Sequence, residues 1–454
     1  MLMKSYLLGA ASLTMLVGCA SLPGSFSDSR DPSTTLPEGF DVSQAAVPDV
    51  AESLLGIFKD SKLEALVNAA WEANPDLQAS AARMEEAGFN LKKAGAPLFP
   101  SLTGNAGART GERLGVSSDT FNATLDTRWE VDVWGKLRAG RRAGAANFAE
   151  AKANYEAAKQ SIAAQAMQGW FDLVAAEQLL DLAQRRAASF EKSYQLVNTR
   201  FENGTTGIGD VHLAKVDLEL ARAAVQLRTN ERDQAARNVR VLAGLYPDAQ
   251  LRTGAKLPSL SRSVKAGVPS DVLLNRPDID AAYQAIRAAD ERVTVAHRDL
   301  FPSFVLTGSG GRESSTLGDL AKSGFDVWSF GASLAAPLFE GGARRAELGA
   351  AGKRAEQAYF RYQKVVLDAF REVENSLGSE RYLARQLSAT EAALEAARRA
   401  ETKSRSDYEQ GLVEILNLLI SQRQVFSTEE SAIQLRAARA KNRVSLALAL
   451  GKAY

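Results

Sequence analysis

The chain has 454 residues, 45% hydrophobic and 24% charged, an ordinary balance for a folded protein and enough length for more than one core. Lys plus Arg number 55 against 54 for Asp plus Glu, so the basic excess that binds phosphate is missing and nucleic acid is not a partner. With one cysteine there is no internal disulfide.

The N-terminus has the form of a secretory signal over residues 1–18: Lys4 is positive, Tyr6 through Val17 is nearly all apolar, and Leu16-Val17-Gly18-Cys19 follows. This stretch resembles a bacterial lipobox, which implies cleavage before Cys19 and lipidation of its thiol, with palmitate among the acyl groups. Ala20 in place of Asp implies, by the same resemblance, sorting to the outer membrane. Residues 19–53, with Pro23, Pro32, Pro37 and Pro48, lack periodicity and read as a lipidated extended tether. Beyond the signal no window offers about eighteen uncharged apolar residues, so any passage through a membrane is by strands.

A first repeat covers 54–246. From Leu54 to Ala96 the spacing of Leu63, Leu66, Val67, Ala70, Leu77, Ala81 and Met84 predicts two helices meeting at Asn74-Pro75. At Leu98-Phe99-Pro100-Ser101 the helical pattern stops, since proline disfavours helix in the residue before it and suits a strand's first position. A strand pair follows over about 100–133, its second arm alternating Phe121, Ala123, Leu125, Thr127, Trp129 and Val131 with polar residues. About ten residues per arm suits a tilted strand crossing a bilayer, with Trp129 and Trp134 at an interface. Residues 137–202 contain no proline and predict one helix of roughly 95 Å with a coiled-coil-like seam through Phe171, Val174, Gln178, Leu179 and Leu182. Gly204 suits a left-handed cap and Asp210 the N-cap of a return helix over 210–243.

After a loop-rich connector, 247–269, the plan recurs over 270–454: a helix, a strand pair at about 302–337, a long helix at 344–410 and a return helix at 415–449. Arg276-Pro277-Asp278-Ile279 and Leu300-Phe301-Pro302-Ser303 repeat Asn74-Pro75-Asp76-Leu77 and Leu98-Phe99-Pro100-Ser101, at 276 − 74 = 300 − 98 = 202. The fold class is mainly α with membrane β in an internally duplicated chain. Four strands in lipid would leave open edges at several kcal/mol per unsatisfied group, so the chain oligomerises. Two chains would give eight strands and a filled interior, three would give twelve and a lumen.

Phe58-Lys59-Asp60, Trp129-Glu130-Val131-Asp132, Pro269-Ser270-Asp271, Trp328-Ser329-Phe330-Gly331 and Pro337-Leu338-Phe339-Glu340-Gly341-Gly342, with the duplicated motifs, resemble the TolC-like outer-membrane efflux factors, in particular their NodT-type lipoprotein branch. The resemblance covers nearly the whole mature chain. It implies a homotrimer in which long helices form an α-barrel tunnel across the periplasm and the strands form a 12-stranded barrel. It implies a passive exit duct of a tripartite system, with a periplasmic adaptor (membrane fusion protein) and an inner-membrane pump of RND type as partners, and outer-membrane lipid around the strands. The alternative is a periplasmic coiled-coil lipoprotein acting as scaffold or adaptor without its own pore, which leaves the strand pairs unexplained.

No catalytic constellation is present, His212 and His297 stand alone, and no metal or cofactor is expected. By the resemblance, the helix turns form the periplasmic mouth, where Arg200, Phe201, Gly204, Tyr408, Gly411 and Leu412 dock the adaptor, although Thr205 departs from the leucine usual at the first tip. Leu416 aligns with a gate leucine and Ile420 stands where many relatives carry aspartate. The pair reads either as an apolar gate that blocks ions by dewetting or as coiled-coil core. Asp210 and Asn417, at 417 − 210 = 207, are pseudo-equivalent and positioned to hydrogen-bond the tips shut. Arg141-Arg142 and Arg344-Arg345 lie early in long helices, where the macrodipole disfavours cations, and read either as phospholipid headgroup contacts or as solvated charge.

Overall fold

The computed structural model describes residues 25–26, 58, 60–113, 116–258, 260, 272 and 274–451. Cys19, the signal and most of the tether lie outside the described residues. The duplication is carried by the elements themselves. Helix α1 (Ser61–Ala73) is followed by α2 (Pro75–Gly95), strands β1 (Ser101–Arg113) and β2 (Val116–Val131), and helices α3 (Lys136–Glu202) and α4 (Ile208–Leu242). The second set is α5 (Pro277–Arg298), β3 (Ser303–Ser314), β4 (Asp326–Ala335), α6 (Ala343–Glu409) and α7 (Ile415–Ala449). The offset is 277 − 75 = 202 at α2 and α5 but 343 − 136 = 207 at α3 and α6, so five residues have entered the second strand pair and its flanks. Helix α1 begins at Ser61, where the Asp60 carboxylate accepts the Lys62 and Leu63 N–H groups, and the expected helical residues 54–57 lie outside the described residues. Helix α4 begins at Ile208 with Gly207 at its cap, so Asp210 lies in the first turn and is not the N-cap.

Two compact units are present, one built on Lys92–Gly144 and Arg287–Gln357, the other on Ala145–Ile286 with the described parts of Ser29–Leu91 and Ala358–Tyr454. The first holds one antiparallel sheet in the order β1-β2-β3-β4, so the two repeats meet at the β2–β3 pairing. Side chains alternate across a strand, and the register gathers them by chemistry. Leu102, Leu125, Trp129, Leu306, Trp328, Phe330 and Leu334 share one face, and Trp328 and Phe330 are 83% and 72% exposed. Thr103, Asn105, Thr124, Asp126, Arg128, Thr307, Ser309 and Ser329 share the other, where Asp126 accepts hydrogen bonds from Asn105, Thr124 and Ser309 on three strands. No helix among the described residues is long and apolar enough to cross a membrane.

The Leu-Phe-Pro motifs are the joints where helix gives way to strand. Each accepts an indole N–H: Trp129 Nε1 donates to the Leu98 carbonyl at 3.1 Å and Trp134 Nε1 to the Pro302 carbonyl at 2.7 Å. The Trp134 ring also stacks on Phe301 at 5.1 Å.

The second unit is helical. Helices α3 and α6 have 67 residues each, roughly 100 Å of rise, and α4 and α7 have 35 each. One core joins Leu63, Val67 and Leu77 to Met167, Trp170, Phe171 and Val174 of α3 and to Val444 and Ala447 of α7. The C-termini of α4 and α7 are closed alike. Gly244 and Gly451 take φ of +69° and +66°, and their bare α-carbons approach the backbone of Ala73 and Asn275, where a Cβ would lie 2.4 Å from the Ala73 oxygen and 2.8 Å from that of Asn275. The connector is tied in through Thr253, whose N–H and hydroxyl donate to Glu177 while Lys62 donates to its carbonyl.

Candidate functional site

The residues singled out at the helix turns do come together, at the free ends of two helical hairpins. Helix α3 ends at Gly204, φ +71°, with the N–H groups of Gly204 and Thr205 returning to the carbonyls of Phe201 and Arg200 at 2.9 Å each. Helix α6 ends the same way: Gly411, φ +76°, and Leu412 return to Tyr408 at 3.0 Å and Asp407 at 2.8 Å. Both are Schellman caps, which need a left-handed residue and so select glycine. Beneath them Phe190 and Val197 of α3, Val211, Ala214 and Leu218 of α4, Tyr408 of α6, and Ile415, Leu418 and Leu419 of α7 form a core.

That core separates the predicted residues into classes. Leu416 and Ile420 are 42% and 52% exposed, whereas Ile415, Leu418 and Leu419 on the other face of α7 are buried. They are therefore not core of this protomer and are left for a neighbouring copy or the lumen. Leu412 is 68% exposed and Phe201 is partly so. Tyr408 is only 3% exposed, so its side chain offers a docking partner no surface. Burial pushes the Tyr408 phenol up, against the pull of the adjacent Arg200 guanidinium, and no group makes a well-aligned hydrogen bond to its hydroxyl. Arg200 lays its guanidinium over the Tyr408 ring at 4.2 Å and donates from Nη2 to the Glu409 carbonyl at 2.9 Å. The Asp210 carboxylate accepts from the Thr206 hydroxyl, and Asn417 is exposed on α7, so no bond joins those two within the protomer among the described residues.

One turn and more along the same helices lies a polar layer that sequence reasoning missed. Gln422 of α7, 1% exposed, exchanges hydrogen bonds with Ser193 of α3, and the next residue, Arg423, sits 3.6 Å from Asp217 of α4. Burial pushes the Asp217 carboxyl up, against the pull of Arg423 and Arg186. Periodicity marks Ser193, Asp217 and Gln422 as inward-facing but does not pair them, since their partners lie far apart in sequence.

The four arginines of the predicted headgroup contact divide in two. Arg142 makes a bidentate pair with Glu291 at 2.6 and 2.9 Å, and Arg344 pairs with Glu340 and with Asp299 at 2.9 Å. These carboxylates, brought from α5 and the preceding turn, offset the cost of a cation near a helix N-terminus. Arg141 and Arg345 are exposed. No group of three His, Cys, Asp or Glu suited to a metal ion occurs among the described residues.

A profile of the family described as "Outer membrane efflux protein" matches residues 66–245 and 268–452. The chain is 28% identical over 447 residues to the cation efflux system protein CusC of Escherichia coli O6:H1, covering 96% of each. It is 28% identical over 470 residues to the toluene efflux pump outer membrane protein TtgI of Pseudomonas putida, covering 99% of this chain and 98% of that one. Among solved structures it superimposes on the open state of the Neisseria gonorrhoeae MtrE outer membrane channel with a TM-score of 0.85 at 29% identity, over 95% and 98% of the two chains.

Proposed function

The chain belongs to the outer membrane efflux protein family, and from that premise we propose that it works as the trimeric exit duct of a tripartite export system, gated at its hairpin ends. The observation that carries this reading is the sheet. Its four strands leave β1 and β4 open at their outer edges, with one face apolar and one polar. In hydrocarbon those edges must be paired, so copies of the chain join edge to edge, the Trp328 and Phe330 face turns to lipid and the Asp126 face lines water. Three copies give twelve strands and an open lumen, where two would give a filled barrel.

The duct is passive. Its cargo is set elsewhere: relatives named for cations and for toluene are equally similar to this chain, which fits a passage that excludes little. The exposed Leu416 and Ile420 of α7, four residues apart and on one helix face, supply rings of apolar side chains when three copies converge, and such a ring closes by dewetting. Leu412, Phe201 and the two glycine turns form the docking end for a periplasmic adaptor, which hands over from an inner-membrane pump of RND type. Of the early arginines, Arg141 and Arg345 are those free to meet headgroups.

Heat-modifiable trimer migration from the outer-membrane fraction, together with a pore in planar bilayers, tests the assembly. A chain extracted from that fraction as a monomer without a pore would favour the scaffold reading.

A further inference from the structure

The N-terminal segment meets the folded chain well before helix α1. The Ser25 hydroxyl donates to the Asp290 carboxylate of α5 at 2.9 Å, across 265 residues of sequence, and the next residue, Phe26, is half-buried. A hydroxyl on an ionised carboxylate makes a charge-assisted bond, stronger than a neutral one. Ser25 and Asp290 belong to one compact unit, the one that holds the sheet. The support is firm, since the adjoining Glu291 is held in the bidentate pair with Arg142 of α3.

Chain length gives the contact its meaning. An extended residue spans at most about 3.5 Å, so the six residues from Cys19 to Ser25 (25 − 19 = 6) reach about 20 Å. After Phe26 the next described residue is Phe58, in the helical core. A leash fixed only there would have 58 − 19 = 39 residues and a reach on the order of 130 Å. Along α5 the rise from Asp290 to Arg298 is about 12 Å, and β3 starts five residues later at Ser303. The foot of the sheet therefore falls within the short leash, whereas the long one would leave the position of its end open.

We propose that α5 carries, at Asp290, the docking point of the lipid-bearing N-terminal segment, which holds the acyl group of Cys19 beside the foot of its own protomer's sheet. The proposal rests on the lipobox reading of Cys19. The test uses the full-length chain in outer-membrane fractions, where acylation occupies the thiol of the only cysteine and leaves an introduced pair without background. A disulfide needs α-carbons within about 7 Å. Ser25→Cys with Asp290→Cys closes one within the chain under mild oxidation, seen as a shifted monomer in denaturing gels that reverts on reduction, and neither single variant shifts. Ser25→Cys with Arg292→Cys, at nearly the same height but turned about 200° around α5, gives no shift. If the Asp290→Cys pair is not recovered as a trimer, Thr294→Cys, one turn along the same face of α5, replaces it with the same expectation. Equal cross-linking at both faces, none at either, or a cross-link between two chains overturns the proposal. Palmitate labelling of the same samples reads Cys19 separately: a chain that cross-links as expected but takes up no label overturns the lipobox reading instead.

Discussion

The side-chain amide of Asn74 donates to the carbonyl of Leu242 at 3.0 Å, and in the second repeat Arg276 donates to the carbonyl of Ala449, also at 3.0 Å. Each closes the C-terminus of a return helix from the residue that precedes a proline-started helix. Asn74 does a second job, accepting the N–H groups of Asp76 and Leu77 as the cap of α2. The Asn-Pro-Asp and Arg-Pro-Asp motifs are thus staples that fix one helix end against another.

Asn74→Ala removes all three hydrogen bonds from a residue that is 4% exposed, at a cost of about 1–3 kcal/mol. The heat-dissociation temperature of the trimer falls measurably below wild type. A temperature equal to wild type would show that the staple is redundant.

Two glycines with nearly the same φ are expected to respond differently to alanine. At Gly244 the new Cβ meets the Ala73 carbonyl, so backbone must move, whereas at Gly204 it meets open space and only the left-handed strain of about 1 kcal/mol remains. Gly244→Ala therefore lowers trimer heat stability more than Gly204→Ala, and the reverse order would refute the close-approach argument.

Glu429 of α7 lies between Arg185 of α3 at 2.8 Å and Arg398 of α6 at 2.9 Å. Burial alone would raise its carboxyl, but hydrogen bonds and charge from the two arginines outweigh burial and hold it below the usual glutamate value. A carboxylate favoured by the fold adds stability that is present above the unfolded value of about 4.3 and is lost as pH falls through the lower folded value. Heat stability in acid consequently declines more steeply in wild type than in Glu429→Gln, which has no proton to gain there. Parallel curves would assign the acid sensitivity to other groups.

The gate reading predicts that Ile420→Asp, which places three carboxylates where three apolar side chains converge, wets the constriction and raises closed-state ion conductance. Conductance indistinguishable from wild type would remove Ile420 from the gate.

Cys19→Ser separates anchoring from insertion. Labelled palmitate is no longer incorporated, while the strands still deliver a heat-modifiable trimer to the outer membrane, because insertion rests on the apolar face of the sheet. Loss of the trimer along with the label would make lipidation a condition of assembly.

Local pattern alone was enough for the duplication, the two strand pairs, the two long helices with their glycine-marked turns at Gly204 and Gly411, and the joints at Pro100 and Pro302. Each of these is written in local periodicity or in a residue whose backbone preference acts within a turn. Tertiary structure decided what each motif residue touches. Tyr408 and Leu412, four residues apart in one tip, proved to be core and surface; Arg142 and Arg344 proved to be held by carboxylates of distant or flanking segments; and Arg200, read as a docking contact, proved to tie α3 to α6. Long-range contacts of this kind follow from which helices lie side by side, and a single helix's periodicity gives its inward face but not the neighbour that face will meet.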